Sequence, residues 1–156
     1  MFRRSLPDQA ISSEETEHIS KLAAKVLTSV SAYPQRLEVL LLHFDTALAE
    51  GRVLEALDSV DKYIELCKEL RMQKPLQDGA LDEDLVSALY SQYSLTKRVG
   101  MKQRCLEAYR EINRLMRGFK FDGNTSQEMI RVHIEIQEGR SEMSDLEREL
   151  EGSTDR

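Results

Sequence analysis

The side chains in this 156-residue chain with the best prospects for chemistry are three histidines, two cysteines and a few helix-spaced acids. His18, His43 and His133 fall on different segments, so no two share the short spacing that a metal or an acid/base pair needs. Glu65 and Glu69, four apart, match half of a di-iron bundle site, but the Glu-x-x-His pairs that complete one are missing. Cys67 and Cys105 each sit in an apolar periodic segment with no second Cys or His at ligand spacing, which reads as two reduced core thiols. There is no Gly-rich phosphate loop, CxxC, HExxH or G-x-S-x-G. These residues predict no catalytic, metal or cofactor site, with His43 and His133 packed or hydrogen-bonded at core edges.

Charge is the second source of chemistry. The chain is acidic, 28 Asp and Glu against 22 Lys and Arg for a net charge of −6, which disfavours bulk nucleic acid and anionic membranes as partners. The charge is uneven. Residues 97–120 hold Lys97, Arg98, Lys102, Arg104, Arg110, Arg114, Arg117 and Lys120 against only Glu107 and Glu111, whereas 122–156 is predominantly acidic. A basic helix beside an acidic final helix can complement it within the chain. The same stripe can instead dock an acidic protein or, least favoured because no aromatics interleave it, nucleic acid.

The elements that position these groups are helical. Three prolines and seven glycines fall mostly between segments of 3.6-residue apolar period. A capping sequence at Ser12 and Ser13 opens a helix with a stripe from Ile19 to Val30, ended by Tyr33-Pro34. A second helix runs to about Glu50, with Leu37, Leu40, Leu41, Phe44 and Leu48 inward; a third spans about 52–72 on Val53, Ala56, Leu57, Val60, Ile64 and Cys67, leaving Tyr63 half a turn off that face. After the loop 74–80, Asp82 caps a helix to about Val99 that buries Val86, Leu89, Tyr90 and Tyr93. Gly100 turns into a helix over about 101–117 carrying Cys105, Ala108, Tyr109, Ile112 and Met116, and Gly118 marks its end. In the last segment Ile130, Val132, Ile134 and Ile136 alternate like a strand. The capping box Thr125-Ser126-Gln127-Glu128 and the face of Met129, His133 and Ile136 favour a helix.

Two segments superpose on their turn glycines: Gly51 with Gly100, and a small residue five places on, Ala56 with Cys105. Small residues there let the paired helices approach closely, as in tetratricopeptide-like repeats. The second unit, with Gly100, Leu106, Ala108-Tyr109-Arg110, Ile112, Ser126, Glu128-Met129, Val132-His133 and Ile136, resembles the bacterial transcriptional activator domain. Arg36-Leu37-Glu38, Ala47-Leu48, Gly51 and Glu55-Ala56-Leu57 resemble that family's first helix pair. The resemblance covers roughly residues 35–138. It departs from the family in having Asn124-Thr125 in place of the proline before the last helix, and Cys105 in place of alanine; the DNA-binding winged helix that generally precedes this module has no counterpart in residues 1–34.

The resulting expectation is an all-α protein: tetratricopeptide-like antiparallel helix pairs in a short right-handed superhelix of about six helices. Residues 1–11 form a flexible N-terminus, 12–150 a single helical-repeat domain and 151–156 a frayed tail. The resemblance implies a non-catalytic interaction module, a regulatory adaptor or a self-associating domain, that takes a peptide or helix of another protein in its concave groove. Candidate contacts are Tyr90 and Tyr93 on the inner helix and Arg110, Arg114 and Arg117 on the basic one. The alternative is a secretion chaperone that masks an apolar helix. With no apolar run after Arg3-Arg4 and none near the ~18 residues that span a bilayer, the expected location is cytoplasmic, without a membrane partner.

Overall fold

A computed structural model describes Glu17 and residues 33–154 except 78; the helix expected over 12–33 lies outside the described residues. The described chain is all-α. It forms α1 (Tyr33–Ala49), α2 (Val53–Gln73), α3 (Glu83–Val99), α4 (Lys102–Met116), α5 (Gln127–Glu138) and α6 (Arg140–Thr154), with no strand among the described residues. It divides into two compact units at Lys74/Pro75, where the sequence suggests one continuous domain. Each helix pair closes on its own turn and buries its own apolar set, so each unit has its own core.

In the first unit α1 packs on α2. Leu40, Phe44 and Ala47 are buried from α1, and Ala56, Leu57, Val60, Ile64 and Cys67 from α2. Two expectations are corrected. Leu48 is exposed because Ala47, one residue earlier, takes the inward position, and Tyr63 is buried because, three residues after Val60 and four before Cys67, it lies on their face and not half a turn from it. The His43 Nδ1 lies 2.8 Å from the Ser59 hydroxyl oxygen across the pair, and burial lowers the pKa of the ring.

Asp45 in α1 is half-buried, and burial pushes its carboxyl up from 3.8 to about 6. A raised folded-state pKa means that the protonated form is favoured by folding. Its stabilising contribution is therefore complete below pH 3.8 and lost as pH rises through about 6. Asp45→Asn is expected to raise the unfolding free energy at pH 7 by roughly 1 kcal/mol, after allowance for partial exposure, and to flatten urea stability between pH 4 and 6. His43 works the other way: its lowered pKa makes stability fall as pH drops below its ordinary 6.5.

The α1–α2 turn recurs, bond for bond, between α3 and α4. Gly51 N–H donates to Leu48 C=O at 3.1 Å and Arg52 N–H to Ala47 C=O at 2.8 Å; 49 residues on, Gly100 N–H donates to Lys97 C=O at 3.3 Å and Met101 N–H to Thr96 C=O at 2.9 Å. Both pairs are the crossed bonds of a Schellman turn, which needs a left-handed residue, and the glycines supply it at φ 74° and 79°. Ala47, Ala56, Thr96 and Cys105, flanking the turns, are almost wholly buried, consistent with close approach of the paired helices. Open space surrounds the missing Cβ of Gly100, so Gly100→Ala acts only through backbone strain. It is expected to cost about 1–2 kcal/mol in a chemical melt.

In the second unit α4 packs on α3, α5 and α6, and α5 also packs on α3 and α6. Asp82 caps α3, its carboxylate accepting from Leu85 N–H at 3.2 Å. Residues 127–138 are helical, and the strand-like alternation has a simple source: Val132 and Ile136 are buried, while Ile134 is 49% exposed and Ile130 half-buried. The four β-branched residues are two i,i+4 pairs on different faces of one helix. The cap is Ser126, which accepts from Met129 N–H. Glu128, expected to close a capping box, instead accepts from the Ser87 hydroxyl of α3, and Ser126 donates to Glu83 at 2.7 Å. The α3 and α5 N-termini are thus joined by two serine–glutamate bonds. Helix α6 runs to Thr154, past the start of the expected frayed tail.

Candidate functional site

The candidate site starts from α4, whose inward residues Cys105, Leu106, Ala108, Ile112 and Met116 leave its cations on the outside. Half of the basic stripe is shown paired within the chain. On α6, Glu142 takes Lys97 at 3.0 Å, Glu149 takes Lys102 at 2.5 Å and Glu147 takes Arg110 at 3.0 Å. All six side chains remain about half exposed, so each pair contributes well under about 1 kcal/mol. Collectively they help to orient a helix in which, among the described residues, Met143 is the deeply buried side chain. Arg114 is held by Glu111 on its own helix at 2.6 Å. Arg110 and Arg114, expected as docking cations, therefore already have carboxylate partners.

Arg117 differs. It follows α4 in an extended conformation, and Gly118, at φ 79°, turns the chain so that Phe119 and Phe121 fold back beside it. Their rings meet edge to face at 5.1 Å, and Phe121 packs on the His133 imidazole of α5 at 4.5 Å. The turn that follows is tied by Asp122, whose carboxylate accepts from Asn124 N–H at 2.8 Å and whose N–H donates to the Thr125 hydroxyl at 2.9 Å. Between this loop, α4 and α5 lies an open cleft of about 520 Å³, its lining made of polar Asn113, Arg117, His133, Gln137 and Arg140 together with the aromatic Tyr109, Phe119 and Phe121. No acid lines it, and among the described residues no carboxylate pairs with Arg117 or Arg140.

The tyrosines divide. Tyr93 is 5% exposed, and its hydroxyl sits where a Cβ on Gly139 would come within 2.9 Å. The glycine between α5 and α6 makes room for it, and burial pushes the phenol pKa up. Tyr93 thus packs against the α5–α6 junction, with little of its surface left for a docking contact. Tyr90 is half-exposed, its ring 6.1 Å from Tyr93, and Tyr93 is in turn 6.2 Å from Tyr109. Tyr90 and Tyr93 border a separate groove of about 400 Å³ with Lys97, Glu135, Glu138 and Glu142, which is acidic on balance. Of the five expected contacts, only Arg117 lies in the cleft.

Tyr109, Phe119, Phe121, His133 and Arg140 complete the cleft and were not expected there. The available signal was the Phe119-Lys120-Phe121 pair just beyond a helix-ending glycine, in a chain with four phenylalanines in all. Among the described residues no group of three His, Cys, Asp or Glu is placed to hold a metal ion, and no helix is long and apolar enough to cross a membrane. Neither cysteine is in a disulfide, and burial raises the Cys105 thiol pKa. Comparison of the chain with profiles of known families, with characterised proteins and with solved structures yields no match.

Proposed function

We propose that this protein is a non-catalytic protein–protein interaction module, a regulatory adaptor built from tetratricopeptide-like helix pairs as in the bacterial transcriptional activator domain it resembles, and that it docks a segment of its partner in the cleft at Arg117 and Arg140. The observation that carries the docking site is the uncompensated positive charge beside half-buried aromatic rings, on a chain of net charge −6 in which Arg110 and Arg114 of the adjoining helix are paired within the chain. An acid-free cleft of that kind attracts an anionic segment and supplies apolar area to hold it. The identical turns of the two helix pairs support the repeat reading.

The test is purification of the tagged chain from its native host, with mass spectrometry and native mass measurement of whatever is retained. A stoichiometric protein partner, lost when the cleft arginines are reversed in charge, is the expected result. A free chain that binds nothing would sink the reading. The second reading, a chaperone masking an apolar helix, is favoured by one observation: Ile130 and Ile134 line an open groove on the outer face of α5. It predicts a 1:1 complex with a small helical partner, disrupted by Ile134→Asp and indifferent to the arginines.

A further inference from the structure

We infer that the group recognised in the cleft is a phosphoryl group carried on an extended peptide of the partner, so that docking is conditional on phosphorylation. This rests on the reading above that the cleft is the docking site.

Charge balance is the first reason. Arg117 and Arg140 line one cleft that contains no acid, whereas nearby Lys97, Lys102, Arg110 and Arg114 each have a carboxylate within 2.5–3.0 Å. A single Asp or Glu of a partner brings one negative charge and leaves one guanidinium uncompensated. A phosphate monoester brings about −1.5 to −2 at neutral pH, which matches two arginines.

Donor count is the second. Each guanidinium offers five N–H donors in a planar fork, and the amides of Asn113 and Gln137 and the ring of His133 add more around the same cleft. Among the described residues none of these three is hydrogen-bonded to another side chain. A carboxylate has two oxygens to meet this array; a phosphoryl group has three strong acceptors.

The third is shape. At about 520 Å³ the cleft is larger than an isolated anion requires, and its lining includes Tyr109 and the Phe119–Phe121 pair. Those rings suit the stem of the phosphorylated side chain and a neighbouring residue of the peptide. The imidazole of His133 packs against the Phe121 ring, which restrains it before a ligand arrives and lowers the entropy cost of using it as a donor.

The full chain would be titrated with N-acetyl-phosphotyrosine amide, N-acetyl-phosphoserine amide, N-acetyl-glutamate amide and inorganic phosphate, following the side-chain NMR signals of His133, Arg117 and Arg140. A phosphorylated amino-acid probe is expected to bind at least about tenfold more tightly than the glutamate probe. It should also bind more tightly than inorganic phosphate, and lose this binding in Arg117→Gln/Arg140→Gln but not in Arg110→Gln. Equal binding of glutamate, binding that survives the double variant, or no shift with any probe overturns the inference. Inorganic phosphate binding as well as the best amino-acid probe reduces the cleft to a free-anion site and overturns it too. Phosphatase treatment of the isolated partner separates the two levels. If treated partner still binds and the double variant still abolishes binding, the phosphoryl inference fails and the docking reading stands. Binding unaffected by the double variant removes both.

Discussion

Replacing Ile112 by alanine is expected to lower the unfolding free energy of the 75–156 unit by about 2–4 kcal/mol, the range for truncating a fully buried branched side chain in a packed core. Ile112 is 0% exposed and lies on α4, the helix that packs against α3, α5 and α6. The cavity is therefore bounded by elements already held by their own turns: the Gly100 turn to α3, and the serine–glutamate bonds joining α3 to α5. Such a frame cannot collapse onto the vacancy, which puts the cost above the bare transfer term for the lost methylenes. Denaturant unfolding followed by far-UV circular dichroism measures it. A loss below about 1 kcal/mol would mean that the α4 interface is loosely packed. Leu106, 3% exposed on the same helix, gives an independent second truncation.

The second large effect concerns the cleft. Arg117→Glu/Arg140→Glu is expected to weaken partner binding by about 100-fold or more, since each charge-assisted contact is worth about 1.5–3 kcal/mol and reversal adds repulsion. Both side chains are exposed, so circular dichroism and thermal stability should be unchanged within about 0.5 kcal/mol. Arg110→Glu serves as the control. It breaks only the half-exposed pair with Glu147 and should leave affinity within about threefold of the parent, because rim charges of this kind carry little binding energy. Affinity of the parent should also fall with ionic strength, as for any contact steered by charges within a Debye length. Comparable losses from Arg110→Glu and the double reversal, measured by calorimetry with the purified partner, would move the docking surface to the helix stripe and away from the cleft.

Much of the fold is legible in the residues because local rules govern it. The helix bounds at Val99 and Met116, the Asp82 cap and the turns at Gly51 and Gly100 follow from side chains acting within four residues of themselves. The 49-residue offset between the two glycine turns, visible in the sequence, returns as matching hydrogen bonds. Misreadings occur at single positions, even in the simple α1–α2 pair. Tyr63, three residues after Val60 and four before Cys67, shares their face of α2 and is buried with them; Leu48 fits the stripe of α1, yet it is exposed. A single-face periodicity has no means of ranking adjacent positions once burial extends around the helix. Glu128 is the polar counterpart: three residues after Thr125 it has the spacing of a local cap, and it is drawn instead to Ser87, 41 residues away.

The sequence by itself determined that the described chain is helical, where its turns fall, and that its charge is divided between a basic stretch and an acidic one, because these depend on composition and short spacing. Which cations have partners was decided only by tertiary structure. Lys97, Lys102 and Arg110 meet glutamates 45, 47 and 37 residues away, while Arg117 and Arg140 come to one cleft with Tyr109, Phe121 and His133. Spacing along a helix specifies which side chains share its face. It does not specify which face of another helix arrives there, and the difference between a neutralised stripe and an open cationic cleft lies in that placement.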